Sequence, residues 1–202
     1  MRDPVVDALR RGPARPGSPA DALLASAAMA AESGAADVAY AEIDSPLGTL
    51  LIASTRRGLV AVSFASGGPD PVLDDLAVRL SPRIVRAPSR LDAAHRELDE
   101  YFGGRRRDFD LTLDWSLAGP FQRRILRRTA EIPYGATSTY SEIAARAGSP
   151  RGARAAGNAL GANPLPIVVP CHRVLPRGGG IGGYTGGAHI KEALLRLESA
   201  GA

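Results

Sequence analysis

The sequence predicts an α+β fold, and three features support this prediction. Short alternating apolar and polar stretches separated by turn residues fill residues 38–64, a pattern typical of a β-meander. Segments with apolar residues at helical spacing follow. After Ala118 the strand patterns give way to short amphipathic helices joined by glycine-rich turns. We therefore expect an α/β N-terminal domain over residues 37–118 and a mainly helical C-terminal domain over residues 119–202.

The N-terminal domain is expected to begin as three strands joined by turns. The predicted strands are Tyr40–Ile43, Thr49–Ser54 and Leu59–Phe64. The turns between them are Ser45-Pro46-Leu47-Gly48 and Arg56-Arg57-Gly58. Two amphipathic helices follow over Pro71–Leu80 and Ser89–Phe102, and alternation predicts a further strand over Phe109–Trp115. No part of this domain resembles a catalytic cluster.

Four helices and one apolar run are expected in the C-terminal domain. The predicted helices are Pro120–Glu131, Thr139–Ala147, about Arg151–Leu160 and about Ile190–Ser199. The second has Ser138 or Thr139 as N-cap and Glu142 in its first turn. The turn Gly148-Ser149-Pro150 joins it to the third, which makes this pair a helix-turn-helix candidate. The run Leu165–Val169 lies between prolines, and we interpret it as a buried strand that leads to Cys171.

Composition excludes several classes of protein. No run of 18 apolar residues is present, so no segment is expected to span a membrane. Cys171 is the only cysteine, which excludes an intrachain disulfide framework and a cysteine-rich zinc site. With only three histidines in addition, we expect no metal centre and no cofactor.

Residues 1–36 are interpreted as a disordered or weakly helical tail. They contain eleven alanines and four prolines and show little periodicity. Arg10 and Arg11 followed by Leu23–Ala31 weakly resemble a secretory signal, but the apolar stretch is mostly alanine and Asp21 stands at its start. We therefore expect a cytoplasmic protein.

Positive charge is concentrated in the C-terminal domain. Residues 119–202 carry ten arginines and one lysine against four acidic residues, a net charge of +7, whereas residues 37–118 have a net charge of −3. A basic surface of this kind suits a polyanionic partner such as nucleic acid. The alternative is that these arginines pair with the acidic residues of the N-terminal domain.

The second helix of the helix-turn-helix candidate has unusually small side chains. It offers Arg154 and Asn158 as side chains suited to hydrogen bonding with base edges. Small side chains let a helix approach a surface closely, which suits the DNA minor groove, and a single long arginine can insert into the base stack. The alternative is that these small residues pack against other parts of the protein.

The lone cysteine stands in a sequence that suits nucleophilic chemistry. A thiol reacts as thiolate, and a neighbouring histidine or cation favours that form. His172 and Arg173 follow Cys171 directly, and Glu198 is one of four acidic residues beyond Gly119 that are available to orient the histidine. The alternative is an inert thiol in the core.

Several short motifs of the C-terminal domain occur together in one known family. They are Ile-Pro-Tyr-Gly at 132–135, Thr-Tyr at 139–140, Ala-Arg-Ala at 153–155, Gly-Ala-Asn-Pro at 161–164, Ile-Val-Val-Pro-Cys-His-Arg-Val at 167–174, Gly-Tyr-Thr-Gly-Gly at 183–187, Lys191-Glu192 and Leu194-Leu195. With them the chain closely resembles the O6-alkylguanine-DNA alkyltransferases, or methylated-DNA–protein-cysteine methyltransferases. The resemblance is strong over residues 119–202, weak over 38–118 and absent over 1–36. It implies a ribonuclease-H-like N-terminal domain and a winged-helix-like C-terminal domain that contains the helix-turn-helix.

The resemblance also implies the reaction and the roles of four residues. An alkyl group moves irreversibly from O6-alkylguanine in double-stranded DNA to Cys171, whose thioether nothing in the chain can cleave, so each molecule reacts once. His172 is expected to act as a water-mediated base, with Glu198 orienting it. Asn163 is expected to link the site by hydrogen bonds, with a helix C-cap as its alternative role. O4-alkylthymine is the other lesion under consideration.

The resemblance further assigns substrate and DNA contacts, because the target nucleotide must leave the duplex. The expected base-binding residues are Tyr140, Tyr184, Thr185, Gly186, Lys191 and the carbonyl groups of Cys171 and Val174. The expected minor-groove contacts are Gly152, Ala153 and Gly157, with Tyr140 rotating the phosphate. Arg154 matches the intercalating arginine. Relatives mostly have alanine where Gly152 stands, which we expect to loosen the helix start, and some have a phosphate-binding arginine where Gly161 stands.

Two other functions compete with this one. The first is a non-catalytic lesion-binding or regulatory DNA-binding protein, against which the presence of Cys171 argues. The second is a cysteine hydrolase built on Cys171 and His172, against which the lack of an oxyanion-hole pattern argues. The zinc site that some relatives carry needs cysteines that this N-terminal domain lacks. We expect a monomer that binds DNA and no membrane.

Overall fold

The structure, a computed structural model, describes residues 36–65 and 67–200. The expectations for the N-terminal tail, including its weak helix, therefore concern residues that lie outside the described ranges, apart from Ala36. In chain order the helices and strands are β1 (Val38–Ile43), β2 (Leu50–Thr55), β3 (Gly58–Phe64), α1 (Asp70–Arg79), β4 (Ile84–Arg86), α2 (Asp92–Phe102), α3 (Pro120–Ala130), β5 (Ser138–Thr139), α4 (Tyr140–Arg146), α5 (Ala153–Gly161), β6 (Val174–Leu175) and α6 (Ala188–Ala200).

A four-stranded mixed sheet forms the centre of the N-terminal half, with strand order β3-β2-β1-β4. β1, β2 and β3 form antiparallel hairpins, whereas β4 runs parallel to β1. The first turn places Gly48 at φ 98°, a left-handed conformation that glycine adopts without steric cost. The sequence pattern does not predict β4, because three residues are too few to show alternation. The predicted α+β fold class is confirmed.

The predicted strand Phe109–Trp115 is wrong. This segment is extended, but Leu113 alone forms a bridge, to Leu59 at the start of β3. The amide of Leu59 donates to the carbonyl of Thr112 at 2.9 Å, and the amide of Asp114 donates to the carbonyl of Leu59 at 2.8 Å. The alternation arises because every second side chain of this segment is half-buried. Among the described strands, the segment forms backbone hydrogen bonds only with Leu59 at the start of β3, so no continuous pairing of strands develops.

The predicted helix over Ser89–Phe102 is present in two parts. A 3-10 turn over Pro88–Leu91 leads into α2, and Ala94, Leu98 and Tyr101 face the core. The helical spacing of Leu91, Ala94 and Leu98 predicts that Phe102 shares their buried face, but Tyr101 is fully buried and Phe102 is half-buried. Since Tyr101 carries a hydroxyl, its burial requires a hydrogen-bond acceptor.

The helix-turn-helix is formed by α4 and α5. Thr139 caps α4 and forms a capping box with Glu142, as predicted. Gly148 takes φ 81° in the turn. The predicted second helix starts too early, because α5 begins at Ala153 with Gly152 as an N-cap that supplies no side-chain hydrogen bond.

The predicted strand over Leu165–Val169 is also wrong. These residues form consecutive turns, in which the amide of Val169 donates to the carbonyl of Leu165 at 2.8 Å. Ile167 has φ 73°, which is incompatible with a strand and uncommon for a β-branched residue. The run is buried, as its apolar composition indicates.

One continuous core joins the two halves. One face of the sheet, α2, the C-terminal helices and the cysteine contribute to it; examples are Ile52, Leu98, Ile125, Ile143, Cys171 and Leu194. The other face of the sheet packs separately against Leu76 of α1. Backbone hydrogen bonding also crosses between the halves, where the amide of Val62 donates to the carbonyl of Pro164 at 2.8 Å. No helix in the described part of the chain has the length and apolar character needed to cross a bilayer.

Candidate active site

Cys171 opens a 3-10 turn over Cys171–Arg173, immediately after the turns that replace the predicted strand. Its side chain is buried. Asn163 lies beside it: Asn163 Nδ2 donates to Cys171 Sγ at 3.2 Å and to the carbonyl of Val169 at 2.9 Å. Asn163 Oδ1 accepts from the amide of Leu165 at 3.0 Å. The residue therefore ties the thiol to the turns that carry it, and it follows the end of α5 without capping that helix through its side chain.

His172 and Glu198 form a buried pair behind the thiol. His172 Nε2 lies 2.9 Å from Glu198 Oε1, and both residues are almost fully buried. His172 Nδ1 is buried without a hydrogen-bond partner in the described part of the chain. A histidine that uses one ring nitrogen for a carboxylate keeps the other free as an acceptor, which is the arrangement of an oriented base.

Glu198 has three further donors that the sequence does not reveal. Arg173 donates through Nε to Oε2 at 2.9 Å and through Nη2 to Oε1 at 2.8 Å. Tyr101 donates its hydroxyl to Oε1 at 2.8 Å, and the amide of Gly135 donates to Oε2 at 3.1 Å. The position of Arg173 beside His172 hints at its involvement, but Tyr101 lies 97 residues from Glu198 in the chain and carries no such signal.

The thiol and the histidine are both neutral in the resting site. Burial raises the pKa of Cys171 to about 11, although Asn163 and the charge of Lys191 oppose this shift. Burial lowers the pKa of His172, and the charges of Arg173 and Lys191 add to the effect against the attraction of Glu198. Burial alone would raise the pKa of Glu198, but hydrogen bonds from His172 and Arg173 outweigh it and hold that pKa at about 2. The thiol therefore needs a base to form the thiolate at neutral pH, and His172, its neighbour in the chain, has an unpaired Nδ1 among the described residues.

A cavity of about 310 Å³ opens beside the thiol. Its walls come from the start of α4, the end of α5, the turn of Cys171 and the loop before α6; the residues are Tyr140, Gly157, Leu160, Gly161, Cys171, Gly183, Tyr184 and Thr185. Thr185 donates to the carbonyl of Gly161 at 3.1 Å and so links the loop to the end of α5. This volume lies at the lower end of the range for ligand pockets.

Three residues expected at the base-binding site lie beside the cavity rather than in its wall. Lys191 is fully buried, and its Nζ donates to the carbonyl of Val174 at 2.7 Å. That carbonyl keeps one lone pair for a second donor. Gly186 lies against the ring of Phe64, and a Cβ there would come within 2.9 Å of that ring. Gly186 therefore permits close packing between the halves.

The helix α5 presents an exposed face next to the cavity. Arg154, Ala155 and Asn158 are exposed on it, whereas Ala156, Ala159 and Leu160 pack inward. A Cβ at Gly157 would meet the ring of Tyr140 at an ordinary 3.8 Å, so internal packing does not require a glycine there.

The start of this helix is shaped by Ser149. A Cβ at Gly152 would collide with the Ser149 side chain. Ala153 is half-buried at the first position of α5. Small residues in this helix thus pack against the turn at Gly152 and also lie on the exposed face, and contact of that face with a minor groove stays a prediction.

Among the described residues, no group of three or more His, Cys, Asp or Glu side chains is placed to hold a metal ion. Two arginines of the C-terminal half do not follow the alternative in which these arginines pair with the N-terminal acidic residues. Arg128 and Arg146 both pair with Glu131 of their own half, at 2.8 and 2.7 Å.

Comparisons with known proteins agree with this geometry. Residues 38–115 match the ribonuclease-like domain, and residues 120–200 match the DNA-binding domain, of the 6-O-methylguanine DNA methyltransferase family. The methylated-DNA–protein-cysteine methyltransferase of Methanosarcina acetivorans is 38% identical over 159 residues, which are 79% of this chain and 97% of that protein. The protein of the same name from Mycolicibacterium paratuberculosis is 40% identical over 167 residues, 80% of this chain and 92% of that one. A crystal structure of Mycobacterium tuberculosis OGT in complex with DNA superposes with a TM-score of 0.70 and 38% identity, covering 81% of this chain and 94% of that chain.

Proposed function

Because the chain belongs to the 6-O-methylguanine DNA methyltransferase family, we propose that Cys171 is the residue that takes an alkyl group from O6 of guanine in double-stranded DNA. The protein is a methylated-DNA–protein-cysteine methyltransferase, a DNA-binding repair protein that works by alkyl transfer. The relatives' names do not favour the non-catalytic DNA-binding alternative. One observation carries the assignment of Cys171: its buried thiol faces a cavity whose wall includes the end of α5.

In the proposed step, Cys171 Sγ forms a bond to the alkyl carbon as the bond between that carbon and guanine O6 breaks. The electron pair of the broken bond stays on O6, and guanine regains its carbonyl by taking a proton at N1. The thiol proton passes to His172, through a water as the resemblance implies, and the alkylated sulfur stays on the protein as a thioether. Because the proton lost by the thiol balances the one gained by guanine, the step needs no oxidant, reductant or cofactor.

His172 and Glu198 support the proposed proton transfer. The pKa of Cys171, raised to about 11 by burial, leaves little thiolate at neutral pH, so a base accelerates the step. Glu198 accepts a hydrogen bond from Nε2 of the imidazole. The proton therefore stays on Nε2, and Nδ1 is the nitrogen that can accept another proton. Lys191 and Asn163 favour the thiolate as it forms, since both oppose the effect of burial on the pKa of Cys171.

Tyr140 is proposed to face the alkylated base. Burial raises the pKa of its hydroxyl, so it keeps its proton at neutral pH and can donate to the purine. Tyr184 and Thr185 close the opposite side of the cavity, and the carbonyl groups of Cys171 and Val174 are proposed acceptors for the exocyclic amine of guanine. A base released from the duplex fits this proposal better than a paired one, because the thiol is buried.

The exposed face of α5 is the proposed contact with the minor groove. Gly152, Ala153 and Gly157 allow close approach, and the exposed Arg154 is proposed to fill the space that the flipped nucleotide leaves in the stack. We further propose that the protein acts as a monomer and in the cytoplasm, and that O6-alkylguanine is its preferred lesion.

Mapping the modified residue by mass spectrometry tests this function. The protein is incubated with a duplex that carries one O6-methylguanine, and its peptides are compared with those of C171S treated in the same way. We expect one added methyl group on the peptide containing Cys171, and none in C171S, which should still bind the duplex. Tight binding without methyl transfer would favour the non-catalytic alternative. A parallel duplex with O4-methylthymine compares the two lesions.

A further inference from the structure

The carboxylate of Glu198 is shared among donors from both halves of the molecule. Oε1 accepts from His172 Nε2 at 2.9 Å, from Arg173 Nη2 at 2.8 Å and from the Tyr101 hydroxyl at 2.8 Å. Tyr101 belongs to α2 of the N-terminal half, whereas the other two belong to the turn of Cys171. The base of the reaction and a distant phenol therefore compete for the same oxygen atom.

The Tyr101 hydroxyl keeps its proton at neutral pH and is fixed in position, so it donates a hydrogen bond to Glu198 continuously. The residue is fully buried, and burial raises the pKa of its hydroxyl far above neutral pH, with the charge of Glu198 adding to the effect. Its ring is held by edge contacts with Phe102 and Tyr134 at centroid distances of 5.5 and 6.1 Å. These contacts fix the ring and thereby hold the hydroxyl oxygen within hydrogen-bond distance of Glu198.

A donor on Glu198 changes the basicity of His172 through electrostatics. Each hydrogen bond to Glu198 stabilises its negative charge and weakens its attraction for a proton on the imidazole. The other charged or titratable groups that act on Glu198 or His172 are Arg173, Lys191, Tyr134 and Tyr184. Of these hydroxyls, that of Tyr134 bonds instead to the carbonyl of Leu197 at 3.3 Å, and that of Tyr184 is buried without a partner among the described residues.

We propose that Tyr101 is a positioning residue for the transfer reaction: its hydroxyl occupies Glu198 Oε1 and thereby keeps His172 a neutral, correctly oriented base at physiological pH. This proposal rests on the proposed function of Cys171 and His172. It gives the N-terminal half, in which the sequence shows no catalytic cluster, an indirect part in the chemistry of the C-terminal half. Since the hydroxyl touches neither the thiol nor the cavity, it acts only through Glu198.

The direct test is the Y101F variant, which removes one oxygen atom and keeps the ring. With one donor lost, Glu198 attracts the imidazolium more strongly, so the pKa of His172 should rise by roughly 0.5–1 unit. The acid limb of the pH–rate profile for methyl transfer should therefore move to higher pH by the same amount. Below that limb the rate should fall about 3–10-fold, and well above it the rate should approach that of the wild-type protein.

Y134F is the matched control, because it removes the phenol oxygen of a neighbouring half-buried tyrosine that bonds to a backbone carbonyl. It should leave the pH profile in place. A second control combines Y101F with E198Q: once the carboxylate is gone, losing the Tyr101 hydroxyl should no longer move the profile. A profile of Y101F that coincides with that of the wild-type protein, or a shift that Y134F reproduces, would overturn the proposal.

Titration of the imidazole signals by NMR separates this proposal from the proposed function. The chain has only three histidines, so His172 can be assigned with one His172→Gln variant. The titration needs no substrate and no transfer. A raised pKa of His172 in Y101F supports the positioning role even if Cys171 proves not to accept the alkyl group. An unchanged pKa contradicts it even if transfer to Cys171 is observed.

Discussion

At the scale of single residues, the proposed reactivity of Cys171 depends on the protonation states of its thiol and of the His172 imidazole. The thiol is held neutral by burial, with a pKa of about 11, and the imidazole next to it is held neutral as well. Glu198 carries the only formal negative charge in this cluster and is matched by the guanidinium of Arg173. The resting site therefore holds a neutral thiol and a neutral imidazole, and in the proposed mechanism a thiolate and an imidazolium form only during transfer.

Glu198 should also make the fold sensitive to acid. Its pKa is about 2 in the folded protein against an ordinary value of 4.5, so its stabilising contribution is complete above about pH 4.5 and is lost as the pH falls towards 2. The lowered pKa of His172 acts in the same direction below about pH 6.5, because the unfolded chain binds that proton more readily. A shift of this size in Glu198 corresponds to about 3 kcal/mol.

Urea unfolding of the wild-type protein and of E198Q over a range of pH measures this contribution. Near pH 7 the variant should be less stable by about 3 kcal/mol, and the difference should shrink as the pH approaches 3. A difference that stays constant with pH would show that Glu198 stabilises the fold through packing and not through its charge.

The sequence indicates the residues proposed to react but not the residue proposed to position them. Cys171, His172, Glu198 and Asn163 follow from the resemblance, and the structure brings all four together. Tyr101 escapes prediction because its role depends on a contact across 97 residues of chain. Spacing along one helix indicates which side chains are buried but not which acceptor a buried hydroxyl meets.

At the scale of the elements, α5 is held by its neighbours as well as by its own hydrogen bonds. Gln122 of α3 donates from Nε2 to the carbonyl groups of Ala159 and Ala162, at 3.1 and 2.8 Å. These carbonyl groups lie at the C-terminal end of α5, where no partner within the helix exists. The proposed DNA-contacting helix is thereby fixed to the body of the domain next to the cavity.

Replacing Gln122 should therefore loosen the end of α5. We expect Q122A to cost about 1 kcal/mol and Q122E somewhat more, because a carboxylate repels the carbonyl groups that the amide binds. Hydrogen exchange of the amides of α5 should be faster in both variants, with α6 as an internal reference. Unchanged exchange in α5 would show that the two contacts do not hold the helix.

Arg154 should matter for duplex DNA and not for the chemistry at the thiol. It is exposed on α5 and does not line the cavity. R154A should slow transfer from duplex O6-methylguanine by an amount on the order of a few kcal/mol, the scale of unstacking a base, but should barely change the reaction with free O6-benzylguanine. R151A, which removes an exposed arginine just before the helix, controls for the loss of one positive charge near the DNA without loss of the inserted side chain. Equal losses on both substrates would place Arg154 in the pocket or in the core.

Helices and strands are predicted correctly where the periodic pattern is long. The prediction fails where the pattern is short or where packing against other segments sets the backbone conformation. The helices and the first three strands follow from periodicity, and the capping box marks the start of α4. Leu165–Val169 is apolar because it is buried, and burial alone does not distinguish a strand from consecutive turns. The left-handed conformation of Ile167 depends on the packing around it and leaves no signal in the sequence.

At the scale of the whole molecule, the two halves form one structure around the site. Phe64 of β3 packs edge-on against Tyr184 of the cavity wall, with ring centroids 6.1 Å apart, and Tyr101 reaches Glu198. The sequence predicts two domains and a boundary near residue 118, and that boundary remains a prediction. It does not reveal that the N-terminal half supports the cavity, because the contacts join segments far apart in the chain.

Charge distribution predicts how strongly salt weakens DNA binding. Arg128 and Arg146 pair with Glu131, which leaves fewer arginines of the C-terminal half for phosphates. From the sequence we expect three to five contacts, and the structure favours about three, hence a log–log slope of roughly −3 for undamaged duplex.

Affinities for two unrelated undamaged duplexes, measured from low to moderate salt, check this slope. They should be nearly equal, because α5 exposes few side chains that read base edges. R151A should make the slope shallower by about 1. A slope near zero, or strong preference for one duplex, would show that the basic charge of the C-terminal half has another purpose.

The central claim is that Cys171 accepts the alkyl group permanently, and the stoichiometry of repair tests it most directly. The protein is mixed with an excess of duplex containing O6-methylguanine, and the restored guanine is counted against the amount of protein until the reaction stops. We expect a plateau at one guanine per protein molecule, with every Cys171 methylated and no repair by C171S. Continued repair beyond one equivalent, or repair by C171S, would contradict it.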